Sequence, residues 1–302
     1  MQIKECKRII VTIKICDNVG NSPGCSSSTC VYGIQYGDQS FSVGFFGKEK
    51  LTLTSTDVFN NFLFGCGQNN QGLFSGAAGL LGLGRDPLSL IQQTATKYNR
   101  VFSYCLPSTS SATGSLTFGK TASSSSAIKF TPLSKLTEGT SFYGLDTLGI
   151  TLGGKKLSIA TSVFSNAGTI IDSGTVITRL PPTAYSALKA AFKDAMKSYP
   201  LTSGFSLLDT CYDLSKNKTV LIPKISFSFS GNVNVDLDVS GILIIAQKIS
   251  QVCLAFAGNS DDDSVGIFGN VQQKRLEVVY DVAGGRVGFG PAGCTWNGLV
   301  IK

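Results

Sequence analysis

The clearest helical period in this 302-residue chain is confined to one stretch. Tyr185, Leu188, Phe192, Met196 and Tyr199 recur at three- and four-residue steps behind Pro181-Pro182. Elsewhere apolar and polar residues mostly alternate, and thirty-four glycines punctuate the alternation. A period of two places one side of a strand in a core and the other in water, and glycine serves the tight turns between strands. The sequence therefore predicts a mostly β chain of short strands with a few short helices, the helical stripe at 185–199 packing on a sheet.

Residues 33–54, "GIQYGDQSFSVGFFGKEKLTLT", read as a long hairpin turning at Gly37-Asp38-Gln39-Ser40. "SGAAGLLGLGR" at 75–85 is too rich in glycine for a helix interior and reads as a buried strand. "DPLSLIQQTATKY" after it reads as a short helix opened by Pro87, and "TGSLTFG" as another strand. "TASSSSA" at 121–127 is a surface loop near a lobe junction. From Tyr143, "YGLDTLGITLGGKKLSI" is a hairpin turning at Gly153-Gly154, and further strands follow the helix through "IPKISFSFSG", "ILIIA", "QVCLAFA", "VGIFGNVQ" and "KRLEVVYDVAGGRVGFG". "AAGLLGLGR" and "SVGIFGNVQ" repeat one design in opposite halves: a small-residue strand with glycine ahead of a short turn. Duplication into two mostly β lobes is expected, at 1–138 and 139–302.

Composition narrows the chemistry. With 42% hydrophobic and 15% charged residues the chain is globular. Its net charge of +7 is scattered, with no basic stripe interleaved with aromatics, so nucleic acid is not an expected partner. No stretch is long and apolar enough to span a membrane. The chain has no histidine, which removes Ser-His and Cys-His nucleophiles and most catalytic zinc sites. A hydrolase built on this sequence must work with carboxylates. "GLGRDPLSL" lacks the Lys-Ser/Thr pair of a phosphate loop, and Asp261-Asp262-Asp263 lacks EF-hand spacing and reads as a solvated loop. No metal and no cofactor are expected.

Nine widely spaced cysteines without a paired CxxC pattern favour disulfides and an oxidising compartment, the odd count leaving at least one thiol without an internal partner. The sequon Asn217-Lys218-Thr219 agrees with a secretory route. "MQIKECKRIIVTIKIC", by contrast, has basic residues breaking its apolar run and no small-residue cleavage site, so it does not read as a signal peptide.

"TIIDSGTVITRL", residues 169–180, sets an Asp-Ser-Gly-Thr turn behind β-branched residues. Alone, such an aspartate most often caps a turn. Held rigidly at the end of a buried strand, it can instead serve as one of two carboxylates that activate a water. The surrounding segments favour the second reading. "YGIQYGDQSFSVGFF", "FGCGQNNQGLF", "GLLGLGR" and "FSYCLP", then "IIDSGT", "DTCYDLS", "VCLAFA" and "IFGNVQQKRLEVVYDVAGGRVGF", resemble in order the segments of pepsin-type aspartic proteases of the plant nepenthesin-like branch.

The resemblance implies a bilobal pepsin-like fold and an aspartic endopeptidase in which two aspartates share a proton and activate water against a peptide bond. It assigns Asp172 to the second-lobe catalytic position and Ser173, Gly174 and Thr175 to the active-site loop. Tyr36, Gly37 and Asp38 become the tip of a flap that covers substrate, and Cys211 and Cys253 a second-lobe disulfide. The first-lobe Asp-Thr-Gly motif is absent, since residues 1–35 contain one aspartate, Asp17, outside any such motif. The first lobe is thus expected to be incomplete, and these residues alone impaired in catalysis. A peptide or protein substrate, a monomer and an extracellular or vacuolar location follow from the family. The alternative is a non-catalytic binding protein on the same fold, such as an inhibitor of glycoside hydrolases of the xylanase type.

Overall fold

The computed structural model describes residues 24–26, 29–74, 76–109, 111–119, 127–291 and 294. The N-terminal stretch with Cys6, Cys16 and Asp17, and the serine-rich loop at 121–126, lie outside the described residues. By its contacts the chain separates into two compact units, 1–97 and 98–302.

In the first unit, β1 (Gly24–Ser26), β2 (Thr29–Gln35), β3 (Phe41–Thr52) and β4 (Val58–Gln71) form one antiparallel sheet in chain order. β2 and β3 are the hairpin that alternation predicts over 33–54, Val31 facing Phe45 and Gln35 facing Phe41 across the turn. Gly44 lets β3 and β4 approach, because a Cβ there would stand 2.0 Å from the Cys66 carbonyl oxygen. Cys30, Tyr32 and Phe46 are the buried centre, with Ile34, Leu63 and Leu88 packed on them. The helical segments Leu90–Gln93 and Ala95–Tyr98 begin later than Pro87. Ser89 is extended and caps the first by accepting the Gln92 amide. Gln93 ties that segment to β4, its side chain accepting the Leu63 amide at 2.8 Å and donating to the Leu63 carbonyl at 2.9 Å.

One expectation fails here. Residues 76–83 form no strand, and Leu80 and Leu81 are 60% and 39% exposed. The small-residue run is apolar enough for a strand, but no ladder partner flanks it among the described strands of this unit. Without a partner its backbone groups gain nothing from extension.

In the second unit, β5 (Val101–Cys105), β6 (Ser115–Phe118) and β7 (Lys129–Pro132) precede β8 (Tyr143–Leu145), β9 (Thr147–Leu152) and β10 (Lys155–Lys156). The chain continues through β11 (Thr169–Ile171), β12 (Thr178–Leu180), β13 (Leu201–Thr202), β14 (Cys211–Tyr212), β15 (Ile225–Phe229) and β16 (Val233–Asp236). It ends with β17 (Leu243–Ile245), β18 (Val252–Leu254), β19 (Phe256–Gly258), β20 (Gly266–Phe268), β21 (Glu277–Asp281) and β22 (Arg286–Gly290). Four sheets result, ordered β6-β5-β21-β22-β7, β19-β12-β20-β11-β8, β10-β9-β15-β16 and β13-β14-β18-β17. β5 and β7 thus hydrogen-bond to the hairpin of β21 and β22.

The hairpin of β9 and β10 turns at Gly153 and Gly154, whose φ of +57° and +82° suit glycine. Phe227, Phe229, Phe256, Phe268 and Phe289 stack or meet edge to face in the core. The predicted helix runs Pro182–Ala195 and buries Ala184, Leu188 and Phe192, with Met196 just beyond its end. Tyr199 falls past the helix, where its hydroxyl accepts the Leu221 amide at 2.8 Å.

Candidate active site

Thr169, Ile170 and Ile171 are buried in β11, which runs parallel to β20 with Ile171 opposite Phe268. The ladder extends one residue further, the Asp172 amide donating to the Phe268 carbonyl at 3.1 Å. The chain then turns past the end of β20 and returns as β12 on its other side, so β20 lies between the two strands flanking the turn. Asp172 sits at the start of that crossing and is half-buried, whereas Ser173 and Gly174 are exposed.

The loop's own atoms orient the carboxylate. Asp172 Oδ1 accepts the Gly174 amide at 2.8 Å, and Oδ2 accepts the Thr175 hydroxyl at 2.7 Å. The first contact is the local Asx turn that an Asp-Ser-Gly sequence favours. The second needs a hydroxyl at position 175, and together they fix both oxygens at the solvent edge. A carboxylate so held can accept a proton from a bound water, or present one, without a rotamer search.

The segment after β20 grips the loop at successive points. Gly269 donates to the Thr178 hydroxyl at 2.9 Å, and a Cβ on Gly269 would lie 2.9 Å from the Ile177 carbonyl carbon and the Thr178 nitrogen. Asn270 donates its amide to the Thr175 carbonyl at 2.7 Å and its side chain to that of Ser173 at 3.1 Å. Val271 donates to the Val176 carbonyl at 3.1 Å. Gln272 is fully buried; its Oε1 takes both the amide and hydroxyl of Thr178, and its Nε2 donates to the Gly241 and Ala255 carbonyls. Sequence reasoning singled out Asp172 to Thr175 but not the segment that holds their loop. The available signal was the passage from the apolar strand Gly266–Phe268 into Gly269-Asn270-Val271 and then the polar pair Gln272-Gln273.

Tyr36, Gly37 and Asp38 lie in the first unit, at the turn between β2 and β3. The Tyr36 amide donates to the Ser40 carbonyl at 2.8 Å, and Gln39 turns the chain with a φ of +70°. Asp38 accepts the Ser40 amide at 2.9 Å and its hydroxyl at 2.8 Å, in that order the causes that hold its carboxyl below the usual range. Ser40 Oγ in turn accepts the Leu73 amide at 2.9 Å, anchoring the turn at its base. The Tyr36 ring meets Phe74 edge-on at 5.7 Å, and burial pushes its phenol upward. This tip therefore has a defined shape with one aromatic side chain partly buried beside it.

Cys211 and Cys253 form a disulfide between the paired strands β14 and β18, and a second joins Cys105 to Cys294. Cys30 and Cys66 are also disulfide-bonded. Asp262 has a structural partner, accepting the amide and hydroxyl of Thr183 in the first turn of the helix Pro182–Ala195. Among the described residues no group of three His, Cys, Asp or Glu is placed to hold a metal ion, and no helix is long and apolar enough to cross a membrane.

A mostly β chain with an Asp-Ser-Gly-Thr crossing loop clamped from behind by a strand and glycine is the arrangement of a pepsin-type acid protease lobe. The comparisons agree. Residues 2–120 match the family described as xylanase inhibitor N-terminal, and residues 142–291 its C-terminal counterpart. An aspartyl protease family protein of Arabidopsis thaliana is 66% identical over 276 residues, covering 91% of this chain and 58% of its own length. Aspartic proteinase nepenthesin-2 of Nepenthes gracilis is 37% identical over 90% of this chain and 63% of its own. Among solved structures, basic 7S globulin from soybean superposes with a TM-score of 0.75 at 22% identity, covering 96% of this chain and 82% of its own. The chain belongs to the pepsin-type aspartic protease family in its plant, xylanase-inhibitor-like branch. It spans 58% of the length of that Arabidopsis protein and of a second one, aspartyl protease AED1.

Proposed function

We propose that Asp172 is one of the two carboxylates of an aspartic endopeptidase acting on peptide or protein substrates. Ser173, Gly174 and Thr175 complete the active-site loop, the last two holding its carboxylate, and Tyr36, Gly37 and Asp38 form the tip that closes over the substrate. The supporting observation is the double hydrogen bonding of the Asp172 carboxylate at an exposed crossing loop, in a chain whose relatives are named aspartyl proteases. Two carboxylates a few ångströms apart share a proton, so one accepts a proton from the attacking water while the other donates to the carbonyl oxygen. The partner carboxylate belongs, in this reading, to the part of the relatives' length that this chain does not span. The lobes are 1–138 and 139–302, the molecule is a monomer, and the disulfides support passage through the secretory pathway.

Acid-pH cleavage with and without pepstatin tests this reading. The 302 residues alone should give little or no turnover. A fusion adding the unmatched segment of the Arabidopsis relative should cleave, and Asp172→Asn should abolish that cleavage. Cleavage surviving the substitution would refute the assignment.

A second reading, a non-catalytic inhibitor of glycoside hydrolases, draws on the xylanase-inhibitor description of the matched families. It predicts that the fusion is inert at acid pH yet retains a xylanase-type hydrolase in a pull-down.

A further inference from the structure

Behind the Asp172 loop lies a group of polar side chains buried in the second unit. Gln273 is fully buried, and Tyr104 and Tyr280 are 5% and 3% exposed. The Tyr104 hydroxyl donates to Gln273 Oε1 and lies 3.0 Å from the Tyr280 hydroxyl. Gln273 Nε2 donates to the Phe268 carbonyl at 2.8 Å, the same oxygen that accepts the Asp172 amide. Buried polar groups cost stability unless fully paired, and apolar side chains of similar volume would fill this space at lower cost. What the polar set adds is direction. A carbonyl oxygen has two lone pairs, and here one serves Gln273 and the other Asp172.

We infer that Tyr104 and Gln273 are positioning residues for Asp172, fixing through the Phe268 carbonyl the point where its loop leaves the sheet. The Tyr280 ring, stacked on Phe102 at 4.5 Å and 4.6 Å from Tyr143, holds the Tyr104 hydroxyl from the far side. The tyrosines in turn sense the loop. Burial raises both phenols well above their usual range, and the negative charge of Asp172 adds to the rise. Hydrogen bonds to Tyr280 and Ser173 act on Tyr104 in the opposite sense. Tyr104 therefore stays protonated and can donate throughout the acid and neutral range. The two glutamines hold opposite ends of the loop. Gln273 fixes the exit from β11, and Gln272 holds the return at Thr178.

The inference rests on the reading of Asp172 as a carboxylate whose placement matters, but its test needs no turnover. Amide hydrogen exchange is followed residue by residue in this polypeptide and in Tyr104→Phe, Gln273→Met and Gln273→Glu. Tyr104→Phe and Gln273→Met should speed exchange at the Asp172 amide by about five- to tenfold, the effect of one lost hydrogen bond. Amides of β15 and β16 should keep their protection. Gln273→Glu separates positioning from space-filling. As a neutral acid it can accept from Tyr104 and donate to the Phe268 carbonyl, so Asp172 protection, corrected for intrinsic rate, should return at acid pH. As a carboxylate it has no proton for that carbonyl, and protection should be lost as pH rises, with burial moving the change above the ordinary carboxylate range. Wild-type protection at Asp172 in Tyr104→Phe, or the absence of a pH-dependent return in Gln273→Glu, would overturn the inference. If Gln273→Met does not fold, those two variants still decide it. A fusion that fails to cleave peptides would sink the endopeptidase reading and leave the exchange result untouched.

Discussion

The Thr175 hydroxyl donates to Asp172 Oδ2 at 2.7 Å from three positions along the same turn. A hydroxyl that orients a carboxylate should matter more for turnover than for folding. Thr175→Val keeps the shape and removes the donor, and a charge-assisted hydrogen bond is worth roughly 1.5–3 kcal/mol. On the endopeptidase reading, kcat/KM of the fusion should fall by at least about tenfold, with Thr175→Ser keeping most of it. Full activity in Thr175→Val with a loss in Thr175→Ser would point to methyl packing rather than the hydroxyl.

Asp209 gives the second unit a pH-dependent component of stability. Burial pushes its carboxyl upward, but hydrogen bonds from Lys189, Tyr185 and Thr210 and the charge of Lys189 outweigh it and leave the pKa below the usual value. A depressed carboxylate stabilises the fold above its unfolded pKa, and that contribution disappears as pH falls through the folded value. Melting curves recorded from about pH 6 to about pH 2 should steepen below about pH 4, and Asp209→Asn should flatten them. Parallel profiles for the two proteins would refute this.

Asp262 caps the helix Pro182–Ala195 from a distant loop by accepting the amide and hydroxyl of Thr183. Asp262→Ala should therefore cost about 0.5–2 kcal/mol in denaturant unfolding. Asp261 is bonded within its own turn, accepting the Ser260 and Ser264 hydroxyls. Asp261→Ala should stay within about 0.5 kcal/mol of wild type. The reverse order would show that the triple aspartate acts otherwise than as a cap.

Gly269 has no room for a methyl group, with two backbone atoms of 177 and 178 at 2.9 Å and the Thr175 carbonyl oxygen at 3.0 Å from a Cβ. Gly269→Ala must push the loop away from β20 and should cost roughly 1–3 kcal/mol or more. At Gly37 a Cβ meets nothing within 4 Å, so Gly37→Ala should leave the melting temperature nearly unchanged. Similar losses at both positions would contradict the close approach at Gly269.

The elements legible in the sequence are those whose cause is local. Alternation marked the hairpin of β2 and β3, the Gly153-Gly154 pair marked the turn of the next one, and the apolar step from Tyr185 to Met196 marked the helix Pro182–Ala195. Residues 76–83 had the composition of a strand and form none, because a strand depends on neighbours that composition does not reveal. The same limit hid the back of the site. Gln272 and Gln273 follow a small-residue strand and its glycine with no sign of burial, yet both are buried. Nothing within "GNVQQ" indicates that one glutamine meets Thr178, ninety-four positions away, and the other Tyr104.

By itself the sequence determined the short strands, the turns and the Asp-Ser-Gly-Thr bend, because dihedral preferences and side-chain alternation act over a few residues. Only the tertiary structure decided that β20 runs between β11 and β12 and brings residues 268–273 against residues 172–178. That choice rests on hydrogen bonds between distant segments, and each such bond exists only once the sheet has assembled around both partners.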